Sequence, residues 1–155
     1  RVFWATPVWK SNASMAGARL ERATLTQANL SNADLSGARL DQADLTATDL
    51  SGANLSKAVL AQANLTDAKL PDADLSGATL SRAVLENAVM TQPQLRGANL
   101  DGANLQAADF TGAELSEATL ADARIDGARF TDAKLDSTIW VNRQRCRPGS
   151  VGECR

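Results

Sequence analysis

Two cysteines and no histidine bound the chemistry open to this chain of 155 residues. Cys146 and Cys154 are its only thiols, eight positions apart in the stretch CRPGSVGEC. Two sulfurs without an imidazole cannot build a zinc site, and C-x7-C is not a metal-ligand spacing. The pair also lacks the C-x-x-C arrangement of dithiol redox centres. Between the two cysteines, Pro148-Gly149-Ser150 is a turn signal. A structural disulfide across that turn would close a short loop and contribute roughly 2–3 kcal/mol on the chain-entropy model. Free buried or surface thiols are the alternative. A disulfide implies an oxidising compartment. Without histidine the commonest general base and metal ligand is missing. Carboxylates do come in pairs, Asp72 with Asp74 and Asp132 with Asp136, but no nucleophile or phosphate-binding loop accompanies them. No catalytic, metal-binding or cofactor-binding residue is assigned, so no enzyme activity, cofactor or small-molecule substrate is expected.

The elements that hold these residues follow from a period. From Met15 to Trp140 every fifth residue is large and apolar, 26 positions in all, of which 20 are Leu. The residue two before each is Ala in 23 of the 26, with Thr48, Pro93 and Thr138 as the exceptions. An α-helix advances about 100° per residue, so a step of five would spiral the Leu residues around every face. A straight strand has a side-chain period of 2, and an odd repeat would flip alternate Leu residues to opposite faces. What remains is a chain that bends once per pentad. Ala and Leu, two apart, then share an inward face, and four corners close a square coil of about 20 residues stacked at strand spacing, roughly 4.8 Å. Within the repeats Gly occurs only at the second position after the apolar residue, as at Gly52 and Gly77, where positive φ is useful.

The tandem A(D/N)LXX pattern, as in ADLSG and ANLSN, resembles the pentapeptide-repeat family and covers residues 13–140. That resemblance implies an all-β fold, a right-handed quadrilateral β-helix of about 6.5 coils, capped at both ends. The expected organisation is an N-terminal cap over residues 1–12, the β-helix over 13–140 and a C-terminal cap with the disulfide over 141–155. The tail, W-x-N-x-x-x-C followed by GS-x-G-x-C, is similar to tails that close some exported, often cyanobacterial, members. Other members bind or protect DNA gyrase by mimicking duplex DNA, which needs dense negative charge along the rod. Here the repeats hold 17 acidic and 10 basic residues, and Arg19, Arg22, Arg39, Lys57 and Lys69 interrupt the acids.

Three local expectations complete the reading. Thr48 and Thr138 can bond the backbone through their hydroxyls. Pro93 should disturb residues 91–95 by removing an N–H from the intercoil ladder. Asp34, Asp74 and Glu114 fall in one column with Asn54, Gln94 and Lys134, because residues 20 apart stack. That column is a solvated face with room for amide ladders or, on the sharper reading, an acidic recognition stripe. Open ends of such a coil expose unpaired strand edges, and the apolar flank RVFWATPVWK should lie over the first coil. No run reaches the roughly 18–20 apolar residues of a membrane span. The expected protein is a monomeric, non-enzymatic structural or protein-interaction module, exported to a periplasm or thylakoid lumen. Its partner is an unidentified protein and not nucleic acid. The alternative is a cytosolic gyrase-directed DNA mimic.

Overall fold

The computed structural model describes residues 10–155. Most of the segment assigned above to an N-terminal cap, residues 1–12, lies outside the described residues. From Ser14 to Ile139 the chain winds as a β-helical solenoid. Each side contributes a single pairing residue, and every one of them, Ser14 with Asp34 through Thr119 with Ile139, pairs in parallel with its counterpart 20 residues on. Four such columns run the length of the stack: side 1 from Ser14 to Lys134, side 2 from Arg19 to Ile139, side 3 from Thr24 to Arg124 and side 4 from Asn29 to Arg129.

One pentad shows why the motif has the residues it has. In Asn54-Leu55-Ser56-Lys57-Ala58 every backbone N–H has a partner, as a buried chain requires. Asn54 donates back to Ala53's counterpart in the preceding coil, the Ala33 carbonyl, at 2.9 Å. Leu55 donates forward to the Asp74 carbonyl at 2.6 Å, and Lys57 forward to Ser76 at 2.9 Å. Ala58 closes the corner on the Leu55 carbonyl at 3.0 Å. The fifth donor, Ser56 N–H, points at no neighbouring carbonyl; the Asn54 side chain accepts it at 3.0 Å. Asp or Asn before the apolar residue is therefore a corner cap of the Asx kind. Ser or Thr after the apolar residue adds a second bond to the same oxygen, as Thr66 does to Asn64 at 2.7 Å.

The corner also sets backbone sign. Its second residue has positive φ in every pentad, whether Gly (Gly77, +66°) or not (Ala47, +54°; Lys57, +57°). With the closing bond three residues on, this is the type II turn pattern, which favours Gly at that place. Inside, Ala and Leu from all four sides fill the tube; Leu30 through Leu85 and Leu95 through Leu105 are fully buried. Toward the C-terminus the axis turns aromatic. The Phe110 and Phe130 rings stack at 5.1 Å, and Trp140 meets Phe130 edge-on at 5.1 Å.

The three departures from Ala behave differently. Thr48 and Thr138 are buried, and each hydroxyl donates to a carbonyl 23 residues back, Leu25 and Leu115, at 2.8 Å. Pro93 corrects the expectation of a broken ladder. At its position the N–H belongs to the corner, not to the ladder, so proline removes only the bond to Met90. Residues 91–92 bend without that bond. The ladder around them is intact, with Gln92 on Thr111 at 2.8 Å, Gln94 on Ala73 at 2.9 Å and Glu114 on the Pro93 carbonyl at 3.0 Å. Pro71 occupies the first corner position, favourable for proline in such turns. There the preceding cap residue is Lys69, which has no oxygen to accept an N–H.

After Trp140 the chain reverses. Arg145 pairs antiparallel with Ile139 on side 2, and Val151 antiparallel with Lys134 on side 1. The Leu135 N–H donates to Ser150, and Gly152 donates to Ala133, both at 2.9 Å.

Candidate functional site

The expected stripe on side 1 is a true column, since Asp34, Asn54, Asp74, Gln94, Glu114 and Lys134 pair in succession. Its carboxylates are occupied within the fold. Asp34 and Asp74 accept the corner N–H of Ser36 at 3.1 Å and Ser76 at 2.9 Å. The Ser36 hydroxyl and N–H hold the Asp34 carboxyl below its ordinary range. Glu114 reaches the same corner with a longer arm and accepts Ser116 N–H at 3.3 Å. Lys134 lies 3.3 Å from its other oxygen. Desolvation pushes Glu114 up, but the Ser116 and Lys134 hydrogen bonds together outweigh it and leave the carboxyl below its usual value. The Asn54 amide oxygen is used within its own pentad, where it accepts the Ser56 N–H, and not in a ladder between coils. A corner donor inside the same pentad is a closer partner than an amide one coil away.

Around Glu114 side 1 carries a shallow groove of about 540 Å³, lined by Gln94, Arg96, Glu114, Glu117, Lys134 and Asp136. An Arg96–Glu117 ion pair at 2.7 Å borders it, and both partners stand more than half exposed. Arg96 and Glu117 escaped the sequence reading because they sit in adjacent columns, not in one. The signal available was their separation of 21 residues, one coil plus one step.

At the C-terminal end, the Cys146 and Cys154 sulfurs lie at disulfide distance, 2.12 Å, with Cα atoms 4.9 Å apart. Cys146 is buried. The pair ties the strand over side 2 to the end of the strand over side 1, and the Arg147 N–H donates to the Arg155 carbonyl at 2.8 Å beside it. The Gly149 N–H donates to the Asp136 carboxylate. Arg143 is held to Asp122 at 2.6 Å, which keeps the Asp122 carboxyl low through the Arg143 hydrogen bond. Among the described residues no group of His, Cys, Asp and Glu has the arrangement of a metal site, and no helix is long and apolar enough to cross a membrane.

A solenoid of five-residue sides with an Ala-Leu interior and Asx-capped corners defines a class of β-helical repeat proteins. The chain belongs to the pentapeptide-repeat family: the family model described as Pentapeptide repeats (8 copies) matches residues 11–42, 43–82, 70–106 and 98–136. Among solved structures it is similar to Rfr23, a pentapeptide repeat protein of the cyanobacterium Cyanothece 51142, with 35% identity and a TM-score of 0.55. That match spans 63% of each chain. It is also similar to HetL of Nostoc sp. strain PCC 7120, a protein involved in heterocyst differentiation regulation (25% identity, 88% of each chain, TM-score 0.49). A pentapeptide repeat protein of the Arabidopsis thaliana thylakoid lumen is 33% identical over 61% of this chain and 66% of that one, with a TM-score of 0.38. No curated protein matches the chain.

Proposed function

We propose that the protein is a non-enzymatic interaction module, a rigid rod of six and a half coils that presents fixed polar columns to a protein partner outside the cytoplasm. The observation that carries this reading is the uninterrupted 20-residue pairing on all four sides. It commits the repeating Ala and Leu side chains to the interior and leaves recognition to the outward columns, held at strand spacing. Residues 13–140 form the rod in this reading, residues 1–12 its N-terminal cap, and residues 141–155 its C-terminal clasp, locked by Cys146–Cys154. The module works as a monomer. Side 1, with Asp34, Asp74 and Glu114 and the groove beside Glu114, is the recognition column. The cysteine pair at bonding distance supports an oxidising compartment, a periplasm or thylakoid lumen.

The gyrase-directed alternative has less support. The negative charge that a DNA mimic needs is broken along the rod by cations paired to it, Arg39 on Glu21 at 3.1 Å and Arg129 on Asp109 at 3.7 Å among them. Affinity capture from a native envelope or lumen fraction tests the proposal. The wild-type rod should retain a protein that a rod carrying Asp34→Lys, Asp74→Lys and Glu114→Lys does not. Two reactive thiols in the native protein would remove the case for export. Inhibition or protection of gyrase in a supercoiling assay would replace this reading with the alternative.

A further inference from the structure

The C-terminal clasp covers two sides of the last coil and leaves two bare. Over sides 1 and 2 the clasp strands complete the ladder, as Leu135 on Ser150 and Cys146 on Thr138 show. Sides 3 and 4, residues 123–132, differ. One coil earlier the corresponding donors Leu105, Ala107, Phe110 and Gly112 bond to Arg124, Asp126, Arg129 and Thr131, and the Ala103 and Ala108 carbonyls accept Arg124 and Arg129. In the last coil the N–H groups of Ile125, Gly127, Phe130 and Asp132 and the carbonyls of Ala123 and Ala128 have no backbone partner among the described residues. The interior shows the same break. Ile125 and Ala128 are only partly buried, while the matching Leu105 and Ala108 are fully so; Ala123 and Phe130 on either side of them stay buried.

An L-shaped strand edge with four donors and two acceptors unpartnered among the described residues is a template for one further half-coil. The side chains along it say what would fit. A residue over Ala123 or Ala128 must be small, and one over Ile125 must be bulky and apolar; over Phe130, which Trp140 already meets edge-on, an apolar residue would pack beside the indole. The exposed Arg124 and Arg129 stand at the pairing positions between these apolar residues, with the exposed Asp126 and Asp132 set at the corners. On sides 1 and 4 a cation is stacked against an acid one coil away, Lys134 on Glu114 at 3.3 Å and Arg129 on Asp109 at 3.7 Å. Arg124 has no such acid; its column neighbour is Asn104. A second copy does not supply the acid. Its C-terminal end would bring its own Arg124 and Arg129 and the clasp residues Arg143, Arg145 and Arg147, and its first coil offers Thr24 and Asn29 on these sides.

We propose that residues 123–132 are a docking edge for an extended acidic segment of a partner protein. The segment adds a half-coil by β-augmentation, in the pattern small, acidic, bulky apolar, two corner residues, and again. This assignment rests on the interaction reading above and places one contact of that partner at the end of the rod.

The probe is a ten-residue peptide with the sequence of residues 43–52, ADLTATDLSG. In register it sets its two acidic residues over Arg124 and Arg129. An NMR titration against the full chain should give saturable shifts and slowed amide exchange at Ile125, Gly127 and Phe130. A peptide with both aspartates changed to lysine should not bind. Arg124→Glu with Arg129→Glu should weaken the native peptide roughly tenfold, as two cross-strand charge pairs become repulsive, and should rescue the lysine peptide. Arg124→Glu alone, at an exposed residue with no acidic column neighbour, is the second variant if the double variant melts early. Absence of saturable binding, protection at other residues, or unchanged affinity in the charge-reversed chain would overturn the proposal. Self-association lost on charge reversal would give the edge to a second copy and overturn it as well. A native partner captured equally by wild-type and charge-reversed chains overturns the edge while the interaction reading stands. Absence of any captured partner overturns that reading itself.

Discussion

The middle of the solenoid and its last half-coil are built from the same pentads and have different environments. Leu55 is fully buried between coils, and its N–H and those of its neighbours are all bonded. Ile125 occupies the equivalent place in its pentad, yet is only partly buried, and its N–H lacks a backbone partner among the described residues. The difference lies 20 residues further along the chain, where Leu55 has another coil stacked on it and Ile125 has none. A pentad in a solenoid is half of a contact; its ladder and its buried area are completed by the next coil. At the C-terminal end that completion comes from an antiparallel clasp, and only on two sides.

That contrast can be broken most directly in the core. Leu65→Ala should cost about 3–4 kcal/mol, the usual range for a leucine truncated in a tight interior. Ile125→Ala should cost about 1 kcal/mol, because its surroundings are already partly open. Equal losses in chemical denaturation would show that the end is packed as the middle is. Next in size is the clasp. Replacing Cys146 and Cys154 by Ser should lower stability by about 2–3 kcal/mol. It should also accelerate amide exchange at Leu135, Cys146 and Gly152 while Leu55 stays protected. Exchange that rises uniformly along the rod would mean that the clasp is no separate unit.

Smaller effects sharpen the comparison at the corners. Ala47 sits at φ +54° and Gly77 at +66° in equivalent places. Ala47→Gly should therefore stabilise by about 0.5–1 kcal/mol and Gly77→Ala destabilise by a similar amount. Thermal midpoints of the two variants should move in opposite directions. The smallest effect is a pH dependence. The Ser51 hydroxyl and N–H hold the Asp49 carboxyl below its ordinary value of 3.8. A carboxyl depressed in the folded state contributes stability above its unfolded value, and that contribution is lost as pH falls through the folded one. Asp34 and Asp44 are lowered in the same way by Ser36 and Thr46, so the rod should weaken below about pH 4. Asp49→Asn keeps the cap, as Asn54 does at Ser56, and should flatten that acid limb slightly in melts taken across pH 2–5.

Much of this architecture was legible in advance because each pentad repeats one small set of constraints. The spacing of Ala and Leu gave the inward face, and the restriction of Gly to one position gave the corner with positive φ. The Thr48 and Thr138 hydroxyls bond the backbone as their chemistry suggested. A disturbance at Pro93 was legible, and residues 91–92 do bend, but it was assigned to the wrong bond: which N–H is spent on the corner and which on the ladder depends on strand phase, and composition does not carry phase. The acids of side 1 were legible as a column, but not as corner caps. The groove beside Glu114 and its Arg96–Glu117 border depend on side chains from adjacent columns, which a column-by-column reading separates.

The sequence by itself determined the bend every five residues, the interior and the family, because a strict period with fixed small and large residues admits one way of closing a chain on itself. The tertiary structure alone decided how the stack ends. Where residues 141–155 turn back, which two sides they cover and which donors of 123–132 stay unpaired depend on the path of a non-repeating tail. No period constrains that path, and the exposed edge it leaves exists only once the coils beneath it are stacked.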